Sequence, residues 1–306
     1  APPTDFLALC TSNMSAPAIK PNEHFNTVLW TGNGGTQAIT GVGFQSDLIW
    51  AKQRTLVTRN YSLTDAVRGT NSQLFLDVDE VQGTASNQIQ SFDADGFSLG
   101  DGGYVNASAD TYVAWNWKAN GSGSANNAGD LDATVSANTD AGFSIVKYVG
   151  NGTNGQTVAH GLGATPNLIV LKTIESAQSW GVGHDDLTWA KYFNFNNETA
   201  PATGGGVFNS VAPTSTLFTV ADNYNIDTED HIAYCFRAIE GYSKCGQYEG
   251  NADADGIFIN TGFEPGFVWI RPIDQSGNTY AWDSERIGYN PANKQFGFAY
   301  SSAESA

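Results

Sequence analysis

The residues best suited to chemistry in this chain are acids, with one imidazole among them. His184-Asp185-Asp186 sets an imidazole beside two carboxylates, which is half of an acid/base pair or of a metal site. Asp283 and Glu285 fall on one face if their segment is a strand, because side chains two apart point the same way. Glycoside hydrolysis takes two carboxylates roughly 5 to 10 Å apart, one of them held protonated. Asp185 or Asp186 acting with Asp283 or Glu285 is the catalytic pairing on offer. Asp77-Val-Asp79-Glu80 is the other tight acidic cluster. The plainer account is compositional: with 31 acidic against 14 basic residues, neighbouring acids need no active site. Zinc is not expected, since no second histidine lies near His184 and no HExxH spacing occurs.

Two further patterns could hold a ligand. Asn251-Ala-Asp253-Ala-Asp255-Gly256 places oxygen ligands at positions 1, 3 and 5 and glycine at 6, as a calcium loop begins. The acid required at position 12 is missing, since Gly262 stands there, so an Asp-rich turn is the competing reading and calcium is the one cofactor expected, if any. Trp180 and Trp282 lie beside polar groups, Trp180 near His184 and Asp185, Trp282 next to Asp283. Apolar rings flanked by acids and amides are what a sugar needs, so these five residues form the candidate glycan site, against the alternative that both rings are core.

The elements that position these residues are strands. A phrase opening Phe25-Asn-Thr-Val-Leu-Trp-Thr-Gly-Asn-Gly34 returns at Phe143–Gly152 and, more weakly, at Tyr242–Asn251. Each is followed by a second phrase: Gly43–Lys52, Gly161–Lys172 and Gly262–Arg271. The starts lie 118 and 99 residues apart, too far for a solenoid and right for a small β-sandwich. Thr111-Tyr-Val-Ala-Trp-Asn-Trp117 alternates as a half-buried strand does, and His231-Ile-Ala-Tyr-Cys-Phe236 matches it. Asn-Gly, Gly-Asn and Asp-Gly pairs supply tight turns, and helical periodicity is confined to short stretches at 57–66 and 185–192. The expected class is all-β, as tandem β-sandwich repeats of jelly-roll or concanavalin-like form. Residues 1–24 read as a linker from an upstream domain, 25–138 as the first repeat and 139–240 as the second. Residues 241–306 read as a partial third repeat packed on the second. The Gly/Ser/Asn-rich stretch from Ala119 to Gly129 reads as a flexible joint.

A net charge of −17 with no Lys/Arg cluster excludes a nucleic-acid partner. No apolar run approaches the roughly 20 residues of a membrane helix. Three cysteines cannot be fully paired; Cys235 reads as a core thiol, with a Cys235–Cys245 bridge as the alternative.

The repeated phrases, with Ser91-Phe-Asp-Ala-Asp-Gly-Phe97, Val105-Asn-Ala-Ser108, Tyr112–Lys118 and Ala212-Pro-Thr-Ser215, resemble a repeat module of tail-fibre-like and other structural proteins of tailed, especially marine, bacteriophages. Pro2–Met14 resembles the exit of a SPRY-like domain, which implies that the chain is a segment of a longer polypeptide. Ser46 departs from the pattern, which keeps proline at Pro166 and Pro265. The resemblance implies a non-enzymatic module at the virion surface, outside the cell. Its expected partners are other virion subunits, in a homo-oligomer such as a trimer, and its expected ligand is host-surface glycan. The competing expectation is a glycan-degrading enzyme using the carboxylates above.

Overall fold

The structure, a computed structural model, describes residues 19–55, 59–286, 292–299 and 303–305. The fold is all-β. Ten elements make up the first unit: β1 (Phe25–Thr31), β2 (Gln37–Ile39), β3 (Leu48–Gln53), β4 (Ser62–Asp65), β5 (Ser72–Phe75), β6 (Gly83–Thr84), β7 (Ile89–Asp93), β8 (Gly96–Leu99), the single-turn helix α1 (Gly103–Asn106) and β9 (Thr111–Trp117). The second contains β10 (Ser124–Asn126), β11 (Ala133–Asn138), β12 (Phe143–Val149), β13 (Gln156–Ala159), β14 (Leu168–Thr173), β15 (Gly181–His184), β16 (Lys191–Asn194), β17 (Ala202–Thr203), β18 (Leu217–Val220) and β19 (Asp230–Phe236). The third has β20 (Phe267–Ile270), β21 (Tyr280–Asp283) and β22 (Phe296–Gly297).

One sheet has the order β1-β9-β3-β4-β5-β6, and a second the order β10-β11-β12-β19-β14-β15-β16-β17. Without its first two strands, the second order reproduces the first position by position. In both, the last strand of the unit returns to the middle of the sheet. Phe25 pairs with Trp117, which pairs with Leu48; Phe143 pairs with Phe236, which pairs with Leu168. The small sheets β2-β8-β7 and β13-β18 cover one face of each large sheet.

The central strands are buried on both faces, so the half-buried reading of Thr111–Trp117 does not hold. Tyr112 and Ala114 enter the core under the small sheet, whereas Val113, Trp115 and Trp117 enter a second core on the opposite face. That second core is shared. Trp50 of β3, Phe195 after β16 and Phe298 after β22 meet ring to ring, with centroids 5.9, 4.7 and 5.1 Å apart. Strand alternation is visible in a sequence, but nothing in it shows whether water or another sheet meets the second face.

Two expected boundaries also shift. The stretch 119–129 is not a free joint: β10, within it, forms a hairpin with β11 on the edge of the second sheet, with Leu131, Ala133 and Val135 buried. The third segment packs on the first unit as well as the second. The Tyr61 hydroxyl donates to Gly297 O at 2.9 Å, and Arg54 pairs with Glu304 at 2.7 Å. Against the second unit, Arg271 donates to Asn197 O at 2.7 Å and lies over the Phe193 ring. Of the short helical stretches, Asp185–Leu187 is a 3-10 turn, while Ser62–Asp65 is a strand and 56–58 lie outside the described residues. Residues 1–18, with the SPRY-like phrase and Cys10, also lie outside them.

Candidate functional site

Each unit turns a corner at the end of the strand that follows its second phrase. Register makes the three corners equivalent: Leu48 pairs with Asp65, Leu168 with His184 and Phe267 with Asp283. At the first corner Asp65 Oδ1 accepts from the backbone N–H of Val67 and Arg68, and Asp65 Oδ2 meets Arg68 Nε at 2.5 Å and the Tyr234 hydroxyl at 2.7 Å. At the third corner Asp283 Oδ1 accepts from the N–H of Glu285 and Arg286, and Asp283 Oδ2 meets Arg286 Nε at 2.6 Å and Trp115 Nε1 at 2.9 Å. Both ion pairs are almost wholly out of solvent, with every hydrogen-bonding direction of the carboxylate occupied.

Asp283 is thus a structural anion, and it cannot reach a substrate. Glu285 is exposed on the same turn and makes no pair with Asp283. The catalytic pairing expected from sequence, Asp185 or Asp186 with Asp283 or Glu285, loses its buried member to an arginine. The glycan site fares likewise. Trp180 is fully buried in the shared core, donates its Nε1–H to Phe75 O at 2.8 Å and stacks near Tyr234, so no sugar can lie on it. Trp282 is half-buried on β21.

The second corner is built differently. His184 takes the aspartate's place, and its Nδ1 accepts from Asp186 N–H at 3.0 Å, as the aspartates do at their turns. The same Nδ1 stands 2.9 Å from Asp185 Oδ1 and 3.7 Å from Asp186 Oδ2. One nitrogen cannot accept the amide hydrogen and donate to a carboxylate at once. Asp185 Oδ2 is held by Asn167 Nδ2 at 2.5 Å. No arginine follows at the third position, which is Leu187. Among the described residues these three form a group with ligand atoms within 4.8 Å of one another.

The Asn251, Asp253 and Asp255 loop is a chain of side-chain-to-backbone turns. Asn251 Oδ1 accepts from Asp253 N–H at 3.1 Å, and Asp253 Oδ1 from Asp255 N–H at 2.9 Å. Asn33 and Asn151 make the same bond, to Gly35 and Thr153, with no acid in the loop. These bonds engage the side chains of Asn251 and Asp253, as the Asp-rich turn of the competing reading does.

Sequence reasoning passed over the buried cations. Lys52 and Lys172 hold the same place on β3 and β14. Lys52 donates to Arg59 O and lies over the Tyr61 ring, 4.9 Å from its centroid; Lys172 donates to Asp79 O at 3.2 Å. Burial brings both ammonium groups down to about 8, opposed by Asp77 at Lys52 and by Asp79 and Glu229 at Lys172. Burial lifts Asp77 to about 6, against a hydrogen bond from Tyr61 N–H. The legible signal was the paired spacing Asp65-x-x-Arg68 and Asp283-x-x-Arg286. A Gly-x-Ser-x-Gly spelling also occurs, at Gly96–Gly100, but it lies within and just beyond β8, where Ser98 Oγ donates to Asp93 and no strand-to-helix elbow forms.

Residues 20–306 match the family model described as a domain of unknown function, DUF7483. The chain belongs to this family. No curated protein and no solved structure matches it. Among the described residues no helix is long and apolar enough to cross a membrane. Cys235 is buried and free, as a core thiol, and Cys245 is free as well, so the alternative bridge between them is not formed.

Proposed function

We propose that this chain is a structural module rather than a catalyst, and that it serves at the surface of a phage virion, as its repeated phrases imply by resemblance. The observation that carries the reading is the ring cluster of Trp50, Phe195 and Phe298. It takes one aromatic from each segment, so the segments cannot part without exposing a core. One of the four candidate catalytic acids, Asp283, is absorbed into that framework, while Asp185, Asp186 and Glu285 stay exposed. Asp65 and Asp283 neutralise buried arginines, and Asp77 feels the charge of Lys52, whose ammonium lies over the Tyr61 ring. Trp180, one of the two candidate sugar platforms, belongs to the same core.

The test is direct. Incubation with bacterial and algal polysaccharides is expected to release no new reducing ends. Release that disappears in Asp185→Asn or Asp186→Asn would overturn the structural reading in favour of a glycan-degrading enzyme. Light scattering is expected to report a homo-oligomer, with a trimer first among the candidates. A strict monomer at high concentration would remove assembly through copies of this chain.

A further inference from the structure

One imidazole stands where the first two units join. His24 links the 3-10 turn Pro21–Glu23 to β1. Its Nδ1 lies 2.9 Å from Asn138 Nδ2, at the end of β11. Asn138 Nδ2 also donates to Lys118 O at 3.0 Å, just past β9, and Lys118 N–H donates to His24 O at 2.9 Å. These bonds close the base of the excursion 119–137, which carries the β10–β11 hairpin. From the third segment, Tyr242 sets its ring edge-on to the imidazole, with centroids 6.2 Å apart.

The amide of Asn138 is oriented by groups that cannot change role. Ala141 N–H, a donor only, bonds Asn138 Oδ1 at 3.1 Å, and Lys118 C=O, an acceptor only, faces Nδ2. Turning the amide over would set donor against donor and acceptor against acceptor. The atom that faces His24 is therefore a donor, so His24 Nδ1 is the acceptor, in a neutral ring with its proton on Nε2. A proton on Nδ1 would point one N–H at another. The second unit makes the same backbone bond without a side chain: Arg237 N–H donates to Gly142 O at 2.7 Å. The fold does not require an imidazole at this place.

The charged neighbours come from each element around the ring. Burial holds His24 below its ordinary value, helped by the Lys118 ammonium and opposed by Asp140 and Glu23. Glu23 is itself paired with Lys20 at 2.8 Å, and burial raises the Tyr242 hydroxyl, which stays neutral. We infer that His24 is a pH-sensitive latch between the first two units: neutral, it holds the Asn138 amide at the base of the hairpin, and protonated, it expels it. Asn120 N–H keeps its bond to Ser136 Oγ at 2.7 Å, so the base opens while the hairpin stays. Ala141 N–H, in a buried residue, is the group that then loses its acceptor. The latch follows from local geometry and does not depend on the virion setting.

The test is amide exchange in the whole chain, read by NMR at Ala141 and corrected for the intrinsic rate, at about pH 7.5 and about pH 5, on either side of the ordinary histidine value. Protection of Ala141 is expected to fall roughly five- to tenfold on acidification, the weight of one ordinary hydrogen bond. His24→Gln, whose side-chain oxygen accepts the same bond and does not titrate, is expected to keep its protection at both values. Asn138→Asp, whose carboxylate favours an imidazolium, is expected to reverse the trend. Protection that ignores pH in the unaltered chain, or that falls equally in either variant, overturns the proposal. A fall shared equally by the amides of β12 would be loss of the whole sheet and would overturn a local latch.

Discussion

The turn after β4 and the turn after β15 hold the same place in their sheets, yet one is sealed and the other open. At the first, Asp65 is enclosed by Arg68 and by a tyrosine from the second unit's closing strand. At the second, His184 keeps the turn but has no arginine, and its two carboxylate neighbours remain exposed. The difference follows from what lies above. A closing strand covers the first corner and excludes water, so a charge there must be neutralised on the spot. No strand among the described residues covers the second, and a histidine with hydrated acids suffices. Chemically suggestive clusters can therefore mark an unfilled junction as readily as an active site.

The comparison can be broken most severely at the sealed corner. Arg68→Ala leaves a buried, unpaired carboxylate and should cost about 3–5 kcal/mol in urea unfolding, whereas His184→Ala should stay within about 0.5 kcal/mol. Replacing Asp65 and Arg68 together by leucine should return much of the loss. Similar costs at both corners would sink the distinction.

His231 offers the next test. Burial holds it down at about 4, and its ring stacks on Tyr148. Between pH 6.5 and about 4 the unfolded chain binds a proton that the folded one refuses, so stability is full above this window and falls as pH drops through it. The loss reaches about 3 kcal/mol at roughly 1.4 kcal/mol per unit. His231→Tyr, which copies Tyr112 of the first unit, should flatten urea midpoints between pH 4 and 7. A slope unchanged in that variant would place the acid sensitivity elsewhere.

The smallest expected effect compares the Gly-Asn turns. Asn106→Ala or Asn225→Ala removes a buried amide that binds the turn at Asn33 or Asn151 and should cost about 1–3 kcal/mol, while Asn251→Ala should fall near zero. Thermal unfolding of the three variants side by side would show it. A large loss at Asn251 would mean that its turn is already held by something beyond its own loop.

Much of the framework was legible. The Gly-Asn turns, the alternation of Thr111–Trp117 and its echo at His231–Phe236 identify strands and their order because turn chemistry and side-chain parity are local properties. The candidate site was less so. Trp180 and Trp282 look alike as neighbours of acids, yet one fills a core and the other is half-exposed. Asp283 and Asp185 each sit near an aromatic in sequence, and only one is matched by an arginine three residues on. The Ala119–Gly129 stretch reads as a joint because its residues are small and polar, but an edge strand asks little of its outward side chains.

Short strands with glycine and asparagine at the bends follow from the order of residues, since those preferences are set within a few positions. Packing between distant strands set which second faces meet, and so which aromatics are core, which carboxylates are neutralised and which corner is left uncovered. Those outcomes depend on what a distant strand lays over a residue, and separation along the chain carries no record of that.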